Sequence, residues 1–432
     1  MNKHRNATLS ELVQDLPVGS AEALPVGLAQ QVIARFIDPI QDKETLPLRQ
    51  ALGRVLADDV ISPIDVPAHD NSAMDGYALR GADLAAGGAV TLTIIGRAMA
   101  GTPYHGAVGP GQCVRIMTGA VMPADCDTVV PQEFTRSDAA DQVTLAADIV
   151  KPGENRRLQG EDLAQGKVAL ARGRLLRPAE LGLLASLGIA TISLQRRLRV
   201  VFFSTGDEIC SLGEALAEGG VYDSNRYTIY GMLTRLGCET IDLGVVRDDP
   251  DALAAALNSA CELGADAIIT SGGVSVGDAD YIRPLMLQMG DMAFWKLLMR
   301  PGRPMAFGRL RAAGHQPYLF GLPGNPVAVM VSFYFFVRSA LLHLMGADVA
   351  PLPLMRARSQ AAIRKKPGRT EYQRGILSID AGGLPVVALT GAQGAGILRS
   401  MAEANCFVVL PHASGSVNAG DEVEVLLFEG LV

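Results

Sequence analysis

Between Arg199 and Ile269 the chain alternates continuous apolar runs with helix-patterned stretches, and that alternation excludes most folds. Arg199 to Phe203 reads as a buried strand. A helix follows Asp223-Ser-Asn225 and ends near Gly237, and Glu239 to Leu243 is the next strand. Asp249 as N-cap and Pro250 at the first helical position open a helix to Leu263, with Gly264 behind it. Ala267 to Ile269 supplies a third strand. Strands separated by helices pair in parallel with right-handed crossovers, and such sheets bind ligands off the carboxyl ends of their strands.

What stands at those ends is chemically loaded. After Ile269 come Thr270, Ser271, Gly272, Gly273, Ser275 and Gly277, then Asp278, Asp280 and Tyr281. Glycines let backbone N–H groups approach an oxyanion, hydroxyls add donors, and a helix starting near Asp280 would aim its positive end at the ligand. A tight strand-to-helix turn with solvated caps has the same composition. Successive strand ends deliver Asp207/Glu208, Asp248/Asp249 and Asp278/Asp280. Asp249 reads as a cap. The others would repel a phosphate unless a hard cation lies between, so the edge reads as a cation-assisted phosphate site.

With 432 residues and 49% hydrophobic content the chain can bury more than one core, and roughly three domains are expected. The net charge is −7 without a Lys/Arg block, which argues against nucleic acid and anionic membranes as partners. The six cysteines form no Cys-x-x-Cys pair and fit a reducing compartment rather than a zinc site. Met1-Asn-Lys-His-Arg-Asn-Ala shows no secretory signal, and Val327 to Val337 reads as a buried helix too short to span a bilayer, N-capped by Asn325 with Pro326 following.

The flanks read differently. Gly27 to Ile37 is an amphipathic helix needing a partner; Pro47 to Leu52 reads as a short helix, Arg54 to Ile61 as a strand and Pro178 to Leu187 as another short helix. Asp70-Asn-Ser-Ala-Met-Asp-Gly-Tyr77 packs turn-prone polar residues into a loop, either Asx-turns or a polar lip reaching for a ligand. Short apolar runs from about 80 to 165 form a mostly-β module holding Thr118, the Arg156/Arg157 pair and Glu161/Asp162, surface salt bridges or bidentate anion contacts. Lys296 and Arg300, four apart, share a face in a helix or a strand and offer local positive charge. Tyr318 to Leu322 runs into a rigid Pro323-Gly-Asn-Pro326 turn whose amides can face a ligand. Beyond a Pro-rich linker at Ala350 to Leu354, strand-like runs form a small barrel or sandwich; its basic motif is Lys365 to Gly375, and Gly391 to Gly396 reads as flexible and chemically mute.

Four motifs in matching order, Asp70 to Tyr77, Ser204-Thr-Gly-Asp-Glu208, Ser271-Gly-Gly-Val-Ser-Val-Gly277 and Leu322-Pro-Gly-Asn-Pro326, closely resemble the molybdopterin molybdenumtransferase family of MoeA type, related to the gephyrin E domain. The resemblance spans all but the first twenty or so residues. It implies an α/β plus β, elongated four-domain protomer: an N-terminal helix (20–41), a linker β domain (42–64 and 166–190), a mostly-β lip (65–165), a central α/β parallel-sheet molybdopterin-binding domain (191–348) and a C-terminal β-barrel (349–432). It implies Mg²⁺-dependent insertion of molybdate into adenylylated molybdopterin with release of AMP. It also implies a cytoplasmic homodimer with a shared site, and transient contact with molybdopterin adenylyltransferase and molybdoenzymes.

The family's functional positions fall on Asp75, Thr118, Arg157, Asp162, Glu208, Asp248, Asp280, Lys296, Arg300, Pro323, Pro326 and Arg374. Glu208, Asp248 and Asp280 would hold the metal; Ser204, Thr205, Gly206, Ser271, Gly272, Gly273, Ser275, Gly277, Asp278, Gly324 and Asn325 complete the ligand-binding set. The 391–396 loop departs from the pattern, with Ala395 and Gly396 where relatives carry a hydroxyl and a histidine. Adenylyl transfer onto molybdopterin and a receptor-clustering scaffold are the competing readings.

Overall fold

The computed structural model describes residues 8–14, 23–84, 88–273, 282–311, 315–348 and 350–431. At its centre a seven-stranded sheet runs in the order Ala23–Leu24, Gly290–Leu297, Pro304–Leu310, Tyr318–Leu322, Ala267–Ser271, Arg199–Thr205, Glu239–Val246. The last four are parallel, as strand–helix alternation requires. Gly290–Leu297 and Pro304–Leu310 instead pair antiparallel, because the short connection between them cannot make a crossover.

Alternate residues of each central strand enter different cores. Val200 and Phe202 pack with Ile269, Phe307 and Phe320 on one face; Val201 and Phe203 pack with Ile268, Ala306 and Leu319 on the other. Both faces are therefore covered, which is why these strands read as unbroken apolar runs. The first face takes the helix Val26–Phe36 and the run Pro326–Leu344; the second takes Pro250–Glu262 and Ile282–Met289. Continuous over 19 residues through a π turn at Phe333–Val337, the run Pro326–Leu344 is longer than its sequence suggested and apolar enough to cross a membrane, yet 72% buried inside the protein.

Lys43–Pro47 pairs antiparallel with Thr191–Gln195, and residues from both sides of the lip share one small core, including Ala51, Leu56, Leu176, Leu184 and Leu194. The expected helix at 47–52 is a single 3-10 turn, Leu48–Gln50. The expected strand at 54–61 breaks into bridges at Val55 and Leu56 and the pair Val60–Ile61, since the carboxylates of Asp58 and Asp59 leave it to accept from Lys43, Ser193 and the Arg172 amide. The lip is a six-stranded sheet built on Gly76–Leu79, Gln112–Ile116 and Val90–Ala98.

At the C-terminus five strands close into a barrel: Thr370–Ile379, Pro385–Leu389, Met355–Ser359, Glu422–Leu427 and Cys406–Leu410, the last returning to the first. Closure settles the choice between barrel and sandwich by removing every free edge among these strands but one. That edge pairs in parallel with Met299–Arg300, a strand that leaves the central sheet to join the barrel.

Candidate active site

The parallel strands end at one edge, and the segments following them line a cleft of about 800 Å³. Ser204, Thr205, Gly206 and Glu208 come from the first; Asp248 follows Glu239–Val246; Ser271, Gly272 and Gly273 follow Ala267; and Pro323, Gly324, Asn325 and Pro326 follow Tyr318–Leu322. Each stands in the cleft that the sequence assigns it to. Arg300 lines the same space from the barrel side, its side chain about half exposed.

The floor is a buried polar network. Ser204 Oγ donates to Asp223 Oδ1 at 2.9 Å, and Asp223, only 2% exposed, also accepts the Arg226 amide as the N-cap of helix Ser224–Arg235. Asn225 Nδ2 donates to Ser271 Oγ and to the Gly324 carbonyl, both at 2.7 Å, stitching two strand ends to the helix start. Gly272 is required here: at φ +97° its missing Cβ would lie 2.3 Å from the Thr205 carbonyl oxygen. Its amide, expected to face an anion, donates to the Leu322 carbonyl at 3.1 Å because sheet pairing continues one residue past Ser271. The N-termini of helices Ser224–Arg235 and Pro326–Ser332 both open on the cleft, giving it positive potential at neutral cost in formal charge.

Charge at the mouth is opposed. Partial burial, and then the charges of Asp207 and Glu208, hold the Asp248 carboxyl above the usual carboxylate range. A carboxylate raised by two like-charged neighbours suits a hard cation with oxygen ligands, and the Thr205 hydroxyl beside Asp248 partly offsets the rise. The donor chemistry fits Mg²⁺, which Glu208 and Asp248 could hold between them; no cluster of three or more carboxylate, histidine or cysteine ligands exists among the described residues. Asp280, the third expected ligand, lies outside the described residues, as do Ser275, Gly277 and Asp278.

Other expected residues fall elsewhere. Lys296 does not line the cleft: it sits near the end of Gly290–Leu297, paired with Ala23 and Pro304. The chain changes sheets between it and Arg300: the Leu298 amide donates to the Leu24 carbonyl while its own carbonyl accepts the Thr370 amide. Arg374 is 1% exposed and turned into the barrel wall, its guanidinium donating to Ser400 Oγ at 3.0 Å and the Gly394 carbonyl at 2.9 Å. Burial, with the like charge of Arg300 second, pushes its pKa down to about 10. The loop it grips is not mute: Gln393, Ala395 and Gly396 line the cleft, and the Ala395 carbonyl accepts the Val327 amide at 3.0 Å.

Asp75 and Thr118 form a second constellation on the lip. The Thr118 amide and hydroxyl both donate to Asp75 Oδ1 at 2.7 Å, and these two bonds, amide first, hold the Asp75 carboxyl below its ordinary value. The segment Asn71–Ser72 pairs with Arg156–Arg157, bringing Arg157 to the same module, where its Nε donates to Glu161 at 2.6 Å; the Asp162 amide donates to the Val66 carbonyl. None of Asp75, Thr118, Arg157 and Asp162 lines the cleft.

From the sequence Asp223-Ser-Asn225 reads only as a helix start, yet Asp223, Ser224 and Asn225 line the cleft, as does Arg303. The signal for Arg303 was present: Arg300-Pro-Gly-Arg303 repeats a cation across a rigid turn. For Asn225 there was none, because its role comes from two strands distant in sequence.

Three family models match the chain in order: MoeA N-terminal region (domain I and II) over residues 24–188, probable molybdopterin binding domain over 202–343, and MoeA C-terminal region (domain IV) over 356–428. A Haemophilus influenzae protein named molybdopterin molybdenumtransferase is 40% identical over 390 residues, covering 90% of this chain and 95% of the relative. One of the same name from a Nostoc species is 37% identical, covering 90% of each. The crystal structure of a molybdopterin biosynthesis moeA protein from Pyrococcus horikoshii superposes with a TM-score of 0.81 at 28% identity, over 94% of this chain and all of that one.

Proposed function

The chain belongs to the molybdopterin molybdenumtransferase family, enzymes of molybdenum cofactor biosynthesis, and we propose that it inserts molybdate into adenylylated molybdopterin with Mg²⁺-dependent release of AMP. The observation that carries this reading is the meeting of Glu208 and Asp248 with glycine-lined strand ends and two helix N-termini in one cleft. Adenylyl transfer and scaffolding are not favoured, since the relatives matched over most of the chain carry the transferase name.

Each group has a physical task. The helix N-termini, Arg300 and Arg303 draw the anionic substrates into an otherwise acidic protein and hold them in register. Glu208 and Asp248 would hold Mg²⁺, which would supply neutralisation of charge on phosphate oxygens. Asn225 and Asp223 lock the floor so that reacting oxygens meet a rigid surface. Among the described residues no histidine lines the cleft, and direct attack by an oxygen of molybdate or water needs no protein nucleophile.

The lip supplies what the cleft lacks. Asp75 is exposed and pre-oriented by Thr118, which fits a carboxylate awaiting a ligand held by another surface. We place it, with Arg157 and Asp162, over the cleft of a second copy in a homodimer. The reaction belongs in the cytoplasm, where the six unpaired cysteines stay reduced and product passes to molybdoenzymes after the adenylyltransferase has delivered substrate. Incubation with adenylylated molybdopterin, Mg²⁺ and molybdate should release AMP in proportion to molybdate. Consumption of ATP with bare molybdopterin instead would assign the preceding step.

A further inference from the structure

Behind Arg300, on the barrel, stands a buried carboxylate. Glu371 is 1% exposed, in strand Thr370–Ile379, and its Cα is the register partner of Arg300. Its Oε1 accepts Arg369 Nε at 2.8 Å and its Oε2 accepts Gln373 Nε2 at 3.0 Å. Arg300 Nη1 stands 4.0 Å from Oε2, within ion-pair reach, while about half of the Arg300 side chain stays open to the cleft. A buried carboxylate needs compensating partners, and this one takes two from the barrel and the third from the cleft wall.

The surrounding charges give the arrangement a purpose. Arg300, Arg369 and the buried Arg374 are three guanidinium groups around this junction, and the charge of Arg300 already depresses Arg374. Glu371 is the carboxylate that both Arg300 and Arg369 face. Without it Arg300 would be repelled by its like-charged neighbours and free to turn towards solvent, and an oxyanion would have to order that long side chain on binding.

We propose that Glu371 is a positioning residue for oxyanion capture: it touches no substrate but holds Arg300 in the direction from which the cleft receives molybdate. The inference rests on the proposed molybdate insertion. A competing effect has the opposite sign, because Glu371 also dilutes the positive charge of the wall. If dilution dominated, Glu371→Gln would tighten molybdate binding.

The test is a double-mutant cycle on the full-length protein, with the KM for molybdate from AMP release and direct molybdate binding by calorimetry. Glu371→Gln should raise the molybdate KM roughly 5- to 10-fold while kcat stays within about twofold, the pattern of lost ground-state positioning. In an Arg300→Gln background the same change should add nothing. Glu371→Asp keeps the buried charge and the fold but draws the carboxylate back, and should give a smaller KM rise; it serves also if Glu371→Gln fails to fold. A KM that falls or stays level in the folded variants, or losses that multiply in the double variant, would overturn the proposal. Wild-type protein that neither binds molybdate nor releases AMP would instead sink the reading of the cleft itself.

Discussion

The cleft and the lip hold their key carboxylates in opposite ways. In the cleft, Asp248 is pushed towards neutrality by partial burial and by Asp207 and Glu208, so its charge is costly until a cation arrives. On the lip, Asp75 is exposed and satisfied by two short bonds from Thr118, so its charge is stabilised, and it does not line the cleft. One region crowds exposed carboxylates together at the mouth of a cleft; the other presents a single carboxylate already satisfied by its neighbour. On the proposed reading neither is a complete site, and the two are halves to be joined across copies.

The sharpest way to break this comparison is complementation. Asp248→Ala and Asp75→Ala should each lower AMP release by about 10²-fold or more. Mixing and re-annealing the two inactive proteins should return roughly a quarter of wild-type activity, the yield of one intact site in half of the randomly paired symmetric dimers. No recovery, with dimers demonstrated by light scattering, would put both halves back in one chain.

Tightness separates the regions next. Gly272→Ala forces a Cβ against the Thr205 carbonyl at φ +97°, and the urea midpoint should fall by the equivalent of about 3 kcal/mol. Gly119→Ala on the lip, at φ +78° with nothing within 4 Å of its Cβ, should cost only about 1 kcal/mol. Equal losses would mean the cleft floor is as open as the lip.

Smaller effects sharpen the electrostatic contrast. Thr118→Val removes one of the bonds that lower the Asp75 pKa, so the acid limb of the activity profile should move upward and kcat/KM should fall roughly 5-fold. Asp248→Asn should have the reverse character. The raised pKa means that the folded state binds the Asp248 proton more tightly than the unfolded chain does. Its contribution therefore favours folding at acid pH and is lost as pH rises through the folded value. The neutral variant should melt slightly higher than wild type at pH 7 without divalent ions, by no more than about 1 kcal/mol, and equally at a pH below the carboxylate range. Added Mg²⁺ should narrow the gap by stabilising only the wild type.

Much of this architecture was legible in the residues because its signals are local. Strand and helix alternation, the Asp249 cap and the buried run after Pro326 each follow from neighbours within a few positions. The strand ends consequently placed Glu208, Asp248 and Pro323 to Pro326 correctly in one cleft. What failed was direction after a break in pairing. Lys296 stays outside the cleft that Arg300 lines, and Leu298 between them bonds to two sheets at once. Arg374 was read as facing ligand, whereas ring closure of the barrel turns it into the wall to grip carbonyls. Asn225 acts through Ser271 and Gly324, far away in the chain, and no spacing rule reaches so far.

The switch at Leu298 has one more effect. A molecule drawn as separate beads would let its last bead be exchanged for a homologous one like a cartridge. Here the peptide on either side of Leu298 is knitted into both neighbours, and the next two residues already belong to the barrel's rim. Any transplant cut in the linker near residue 350 would thus leave a piece of the donor's seam behind, and a graft that keeps its grip on molybdate must carry residues 298–303 along with it.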